Sequence, residues 1–84
     1  MFDYYLTFRS VTGAQHGARL LERAGVSCLM GRTPKSISAN GCGYVLRVRE
    51  SDIRHAAAIL RESGAPYQRI YQTGPGGALE EMLL

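Results

Sequence analysis

The chain has few of the devices that usually fix a small protein or announce its chemistry. It has two cysteines, Cys28 and Cys42, in 84 residues. That is too few for a disulfide framework, and their spacing is neither a C-x-x-C redox pair nor half of a zinc knuckle, so each is judged alone. No stretch of eighteen apolar residues occurs, and the opening MFDYYLTF has no basic segment leading into an apolar one. Neither membrane spanning nor secretion is supported, and a cytoplasmic location is the expectation. There is no long block of one charge sign of the kind that makes a disordered tail. No G-x-S-x-G and no Walker loop occurs, and TGPGG near the C-terminus has no full helix after it, so conventional hydrolytic or phosphate-binding catalysis has no motif here. His16 and His55 have no Cys, Asp or Glu joining them at ligand spacing and read as solvated helix-surface residues. No metal and no cofactor is expected.

What is present is an ordinary globular composition, 45% hydrophobic and 20% charged. The length gives one domain, near the size at which a single core is only just sufficient. A net charge of +3 and a pI near 9.2 permit an acidic or nucleic-acid partner. The ten Lys and Arg are scattered, however, so charge by itself names no partner.

Periodicity supplies the architecture. Residues 2–9 alternate, with Phe2, Tyr4, Leu6 and Phe8 on one side, as a half-buried strand requires. Thr12 with Gln15 resembles a capping box, and Ala14, Gly17, Ala18 and Leu21 recur at helical spacing until Gly25. VSCLMGR reads as a short strand, YVLRVR as a third, residues 51–64 as a second helix with Ile53, Ala56, Ala57 and Leu60 on its inner stripe, and YQRIYQ as a fourth strand. ARLLERAGVSC also aligns with AAILRESGAPY at an offset of 39 residues, so a βαβ unit is used twice. Two such units give an α+β, ferredoxin-like βαββαβ fold, a four-stranded antiparallel sheet of order 4-1-3-2 with both helices on one face. Residues 1–73 form this domain, and 74–84 a Gly/Pro hinge and short apolar tail.

The fold leaves one sheet face open. The alternation places Ile70, Tyr5, Val45 and Leu29 across it, an apolar row that something should cover. The tail, with Leu79, Met82 and Leu83, could dock on the chain's own sheet or on a neighbour's, and a homodimer is the expectation. RNA-recognition modules share the topology and stack bases on aromatics of strands one and three, but here strand three offers Val45, Arg47 and Arg49 beside Tyr5. The stacking pair is missing on this reading, and no nucleic-acid partner is expected.

The stretch NGCGYVLRV concentrates the chemistry. The topology brings the end of strand one, the start of helix one and the start of strand three to one sheet edge, so Cys42 is expected near Arg9, Ser10 and the helix's first turn. A helix N-terminus favours a thiolate, and Arg9, Arg32 or Lys35 would add positive charge. Gly41 and Gly43 keep side chains away from the sulfur. An activated, accessible thiol is one reading; a tight loop exit in which a small residue was needed is the other. Cys28 shares a face with Val26 and Met30 and is expected in the core as a small apolar residue.

The strand YYLTF, the helix ending LLERAGV, the run TPKSIS, the junction CGYVLRV and the segment LRESGAPY together resemble a small bacterial family, the selenium/sulfur carrier protein-like proteins, a domain of unknown function. The resemblance covers roughly residues 4–71. This chain differs in the ANG between Ser38 and Cys42 and in its GPGGALEEMLL tail. The resemblance implies a carrier, rather than a turnover enzyme, in which Cys42 accepts and passes on sulfur or selenium as a persulfide or selenosulfide. Ser10, Thr12, Arg9 and Lys35 would then stabilise the anion, and the partners would be donor and acceptor proteins. The competing expectation is a non-catalytic binding module that dimerises through its open sheet, with Cys42 incidental.

Overall fold

The computed structural model describes residues 3–34, 43–64 and 67–82. The alternating segments form strands β1 (Tyr4–Phe8), β2 (Leu29–Arg32), β3 (Tyr44–Val48), β4 (Ile70–Thr73) and β5 (Leu79–Met82). The 3.6-periodic segments form helices α1 (Val11–Arg23) and α2 (Ile53–Glu62). Tyr4, Leu6 and Phe8 of β1, Leu46 and Val48 of β3 and Ile70 of β4 share one buried cluster with Ala14 and Leu21 of α1 and Ile53, Ala56, Ala57 and Leu60 of α2. Both helices therefore cover the same face of the sheet. Leu6, Leu21, Leu46 and Leu60 have no exposed surface, and burying a leucine stabilises by about 1.5–3 kcal/mol.

Helix α1 approaches the sheet closely because of Gly17. A Cβ there would lie 3.1 Å from Phe8 Cζ and 3.2 Å from both Leu46 Cδ1 and Leu60 Cδ2. Gly17 thus accepts a propensity cost of up to about 1 kcal/mol relative to alanine in return for close contact with β1, β3 and α2. Gly25 (φ 79°) and Gly64 (φ 74°) end the two helices in the left-handed region.

The sheet is fully antiparallel, and its count and order differ from the expected four strands ordered 4-1-3-2. Five strands run β2-β3-β1-β4-β5. The additional strand comes from the C-terminal segment. Gly76 (φ 73°) and Gly77 (φ 81°) turn the chain after Thr73, and Leu79–Met82 pairs antiparallel with β4, Thr73 opposite Leu79 and Ile70 opposite Met82. Pairing β5 onto β4 satisfies an edge that would otherwise present unpaired amides and carbonyls. The α+β class, two helices against one antiparallel sheet, is compatible with a ferredoxin-like arrangement.

The open face also needs correction. Leu6 lies opposite both Leu46 and Ile70, which puts Ile70 on the helix side. Ile70 is only 3% exposed and belongs to the core. Tyr71 takes the open-face position instead, opposite Tyr5. The register is set by side-chain chemistry: an isoleucine gains most from full burial, whereas tyrosine tolerates a face that leaves its hydroxyl near water. Thr7 reinforces the register where β4 begins, its hydroxyl accepting from the Arg69 N–H at 3.0 Å and donating to the Arg69 carbonyl at 3.3 Å.

Candidate functional site

Strand β1 ends at Phe8, and the chain turns through Arg9 and Ser10 directly into α1. Ser10 is extended (φ −133°, ψ 159°) and caps the helix: its Oγ accepts from the Gly13 N–H at 3.1 Å, and its carbonyl accepts from the Ala14 N–H at 3.1 Å. The cap is Ser10 and not Thr12, which is the second residue of the helix; Thr12 with Gln15 does not form the expected capping box. The amides of Val11 and Thr12 have no partner within the helix, and the first turn carries no acidic residue to offset their partial positive charge. Arg9, Ser10 and Thr12 are all exposed.

Strand β3 starts across from this turn, with Tyr44 opposite both Phe8 of β1 and Arg32 of β2. The preceding residue, Gly43, extends the β2–β3 ladder by accepting from the Thr33 N–H at 3.2 Å. Its φ is +102°, and a Cβ on it would lie 3.0 Å from the Phe8 carbonyl oxygen and 3.2 Å from Thr33 Oγ1. Both the torsion and the close approach require glycine. Gly43, Arg9, Ser10, Thr12 and Arg32 are thus gathered at one edge of the sheet. Cys42, Gly41 and Lys35 lie outside the described residues.

Cys28 occupies a different place. It precedes β2, is free, and packs half-buried against the core. Burial first, and the Glu22 carboxylate second, push its thiol above the ordinary value, which keeps it protonated and poorly nucleophilic. A shallow depression beside it is lined by Glu22, Val26, Leu29 and Arg49. Among the described residues no three His, Cys, Asp or Glu come together as metal ligands, and His16 and His55 are exposed.

One role and one contributor are not legible from sequence. Ser10 is expected at the site, but its role as the cap is masked because Thr12 with Gln15 imitates a capping box, although a serine immediately after a strand is itself a usable signal. Thr33 had no signal at all, since its contact with Gly43 follows from strand pairing across a long connection.

The family described as Putative Se/S carrier protein-like matches residues 3–72. The chain belongs to that family. The match runs from β1 through most of β4, takes in both cysteines and the N-terminal turn of α1, and stops before β5. No curated protein and no solved structure matches the chain. Among the described residues no helix is long and apolar enough to cross a membrane.

Proposed function

We propose that this chain is a carrier of sulfur or selenium in which Cys42 accepts the outer chalcogen atom of a donor's persulfide or selenosulfide and hands it to an acceptor protein. The observation that carries this reading is the family match over residues 3–72, which includes Cys42. The placement of Gly43, bonded directly to Cys42, against the last carbonyl of β1 and beside the capped start of α1 supports it.

The chemistry asks little of the protein. The Cys42 thiolate attacks the outer sulfur of a donor R–S–SH, the donor's S–S bond breaks, the donor leaves as R–S⁻, and Cys42 becomes Cys–S–SH with no net oxidation or reduction. In the second transfer the acceptor's thiolate attacks the same outer atom and Cys42 leaves as thiolate. A nucleophile, an open approach and donors for an anion suffice. Gly41 and Gly43, on either side of Cys42, bring no side chain of their own to the approach. The amides of Val11 and Thr12, the hydroxyl of Ser10 and the cations of Arg9 and Lys35 hold the terminal anion. The donor is of the cysteine-desulfurase type, and the exchange takes place in the cytoplasm.

Mass spectrometry after incubation with a desulfurase and cysteine tests the reading. Expected is the mass of one added sulfur, mapped to Cys42, present in Cys28→Ser and lost in a folded Cys42→Ser. Absence of added sulfur on the native chain, or addition that Cys42→Ser leaves unchanged, removes the proposal and leaves Cys42 a loop residue.

A further inference from the structure

The sheet face opposite the helices carries one row of side chains fixed by the ladder register. Leu29, Arg47, Tyr5, Tyr71 and Glu81 succeed one another across β2, β3, β1, β4 and β5. Tyr5 and Tyr71 are directly opposed on neighbouring strands, and residues so opposed have Cα atoms about 4.5–5.5 Å apart. On the other side of Tyr5 the Arg47 guanidinium lies over its ring, 5.1 Å from the centroid. Leu29 is 49% exposed at the end of the row. At the opposite end Arg69 binds Glu81 at 3.1 Å, which offsets that carboxylate.

We propose that this row is a stacking platform for single-stranded nucleic acid. Tyr5 and Tyr71, both half-buried, form with the Arg47 guanidinium a row of planar π groups, and stacking on such groups is the means by which single strands are held on open sheets. The expectation of no nucleic-acid partner rested on the want of a second aromatic on strand three. The register supplies that aromatic from β4. Charge suits a polyanion: the chain is +3, and of the row's two charged residues, Arg47 and Glu81, the carboxylate is already paired with Arg69. Size argues against the main rival, a second copy of this chain. Five short strands about 4.8 Å apart make a face on the order of 400 Å², about half of the roughly 800 Å² per partner that a stable protein interface takes. A few stacked nucleotides need no more. This inference stands apart from the carrier reading, since it uses neither Cys42 nor the α1 edge.

The sequence has five tyrosines, two of them in the row, and no tryptophan, so the quenching that belongs to the row is the part lost in Tyr5→Leu and Tyr71→Leu. The full chain is titrated with single-stranded and duplex oligonucleotides of mixed sequence, following tyrosine quenching and the anisotropy of labelled strands at low and high salt. Expected is saturable, salt-sensitive binding of single strands over duplex. Tyr5→Leu and Tyr71→Leu should each weaken it about tenfold, and Tyr5→Phe should retain it. Should Tyr5→Leu fail to fold, Arg47→Gln serves, with weaker binding and a shallower salt slope. Sedimentation equilibrium on the same samples covers the rival. The proposal is overturned by absent binding, by binding indifferent to these variants or equal for duplex, or by a dimer that Tyr5→Leu dissociates.

Discussion

At the residue scale the two cysteines separate by environment. Cys28 packs half-buried against the core near Glu22, and both influences raise its pKa, burial more than charge. Iodoacetamide at neutral pH should therefore modify Cys42 first, with the fast phase absent in Cys42→Ser and intact in Cys28→Ser; equal slow labelling of both would return Cys42 to a structural role. The raised Cys28 value also has a sign for stability. The folded thiol holds its proton more tightly than the unfolded one, so its contribution is full below the unfolded value of about 8.5 and is lost as pH rises toward the folded value. Cys28→Ala should flatten the alkaline decline in denaturant midpoint above that pH. Gly43 is the other residue with an outcome of its own. At φ +102°, with a Cβ 3.0 Å from the Phe8 carbonyl, Gly43→Ala should lower unfolding free energy by about 1–3 kcal/mol in urea titration.

At the scale of elements, helix α1 depends on its first turn. Ser10 satisfies the Gly13 amide, whereas Thr12 is exposed and makes no cap. Ser10→Ala should cost about 1 kcal/mol, and Thr12→Ala should stay within about 0.5 kcal/mol. Equal costs by thermal or urea unfolding would mean that the cap lies elsewhere. Helix α2 shows how far pattern reaches. Ile53, Ala56, Ala57 and Leu60 are all buried, as their spacing requires, yet the helix starts at Ile53 rather than Ser51. The Asp52 N–H bonds the Arg49 carbonyl in a turn that delays the first helical residue. Boundaries are decided by such local hydrogen bonds, which composition does not reveal, whereas the buried stripe follows from helical geometry alone.

At the scale of the whole molecule, the family match ends at residue 72, and β5 is added beyond it on the edge of β4. Residues 1–73 as a separable carrier domain is accordingly a proposal with a direct test. A chain truncated after Thr73 should keep native-like circular dichroism and the sulfur acceptance of Cys42. It should also unfold at lower denaturant and self-associate, because the β4 edge is then bare. Loss of all folded signal would make β5 an integral strand of the domain.

Some of this was set by the sequence alone. The inner faces of β1 and β3 and the buried stripes of both helices follow from periods of 2.0 and 3.6 residues, which local geometry imposes wherever the chain goes; Cys28, expected inside the core, packs only half-buried against it. The junction of Cys42 with Gly43 was legible in the same way, as a residue type beside a backbone of special freedom. Other features came only from tertiary structure. Whether Ile70 or Tyr71 faces the helices is a one-residue question of register, answered by Leu6 across the strand and by the Thr7–Arg69 bonds. The C-terminal segment became a fifth strand because β4 offered it an unpaired edge. Gly43 came to lie against Phe8 because β3 pairs with β1, two segments separated by a helix, a strand and a long connection. Periodicity is a property of neighbours in the chain; register, edges and close approaches are properties of segments that meet only once the chain has folded.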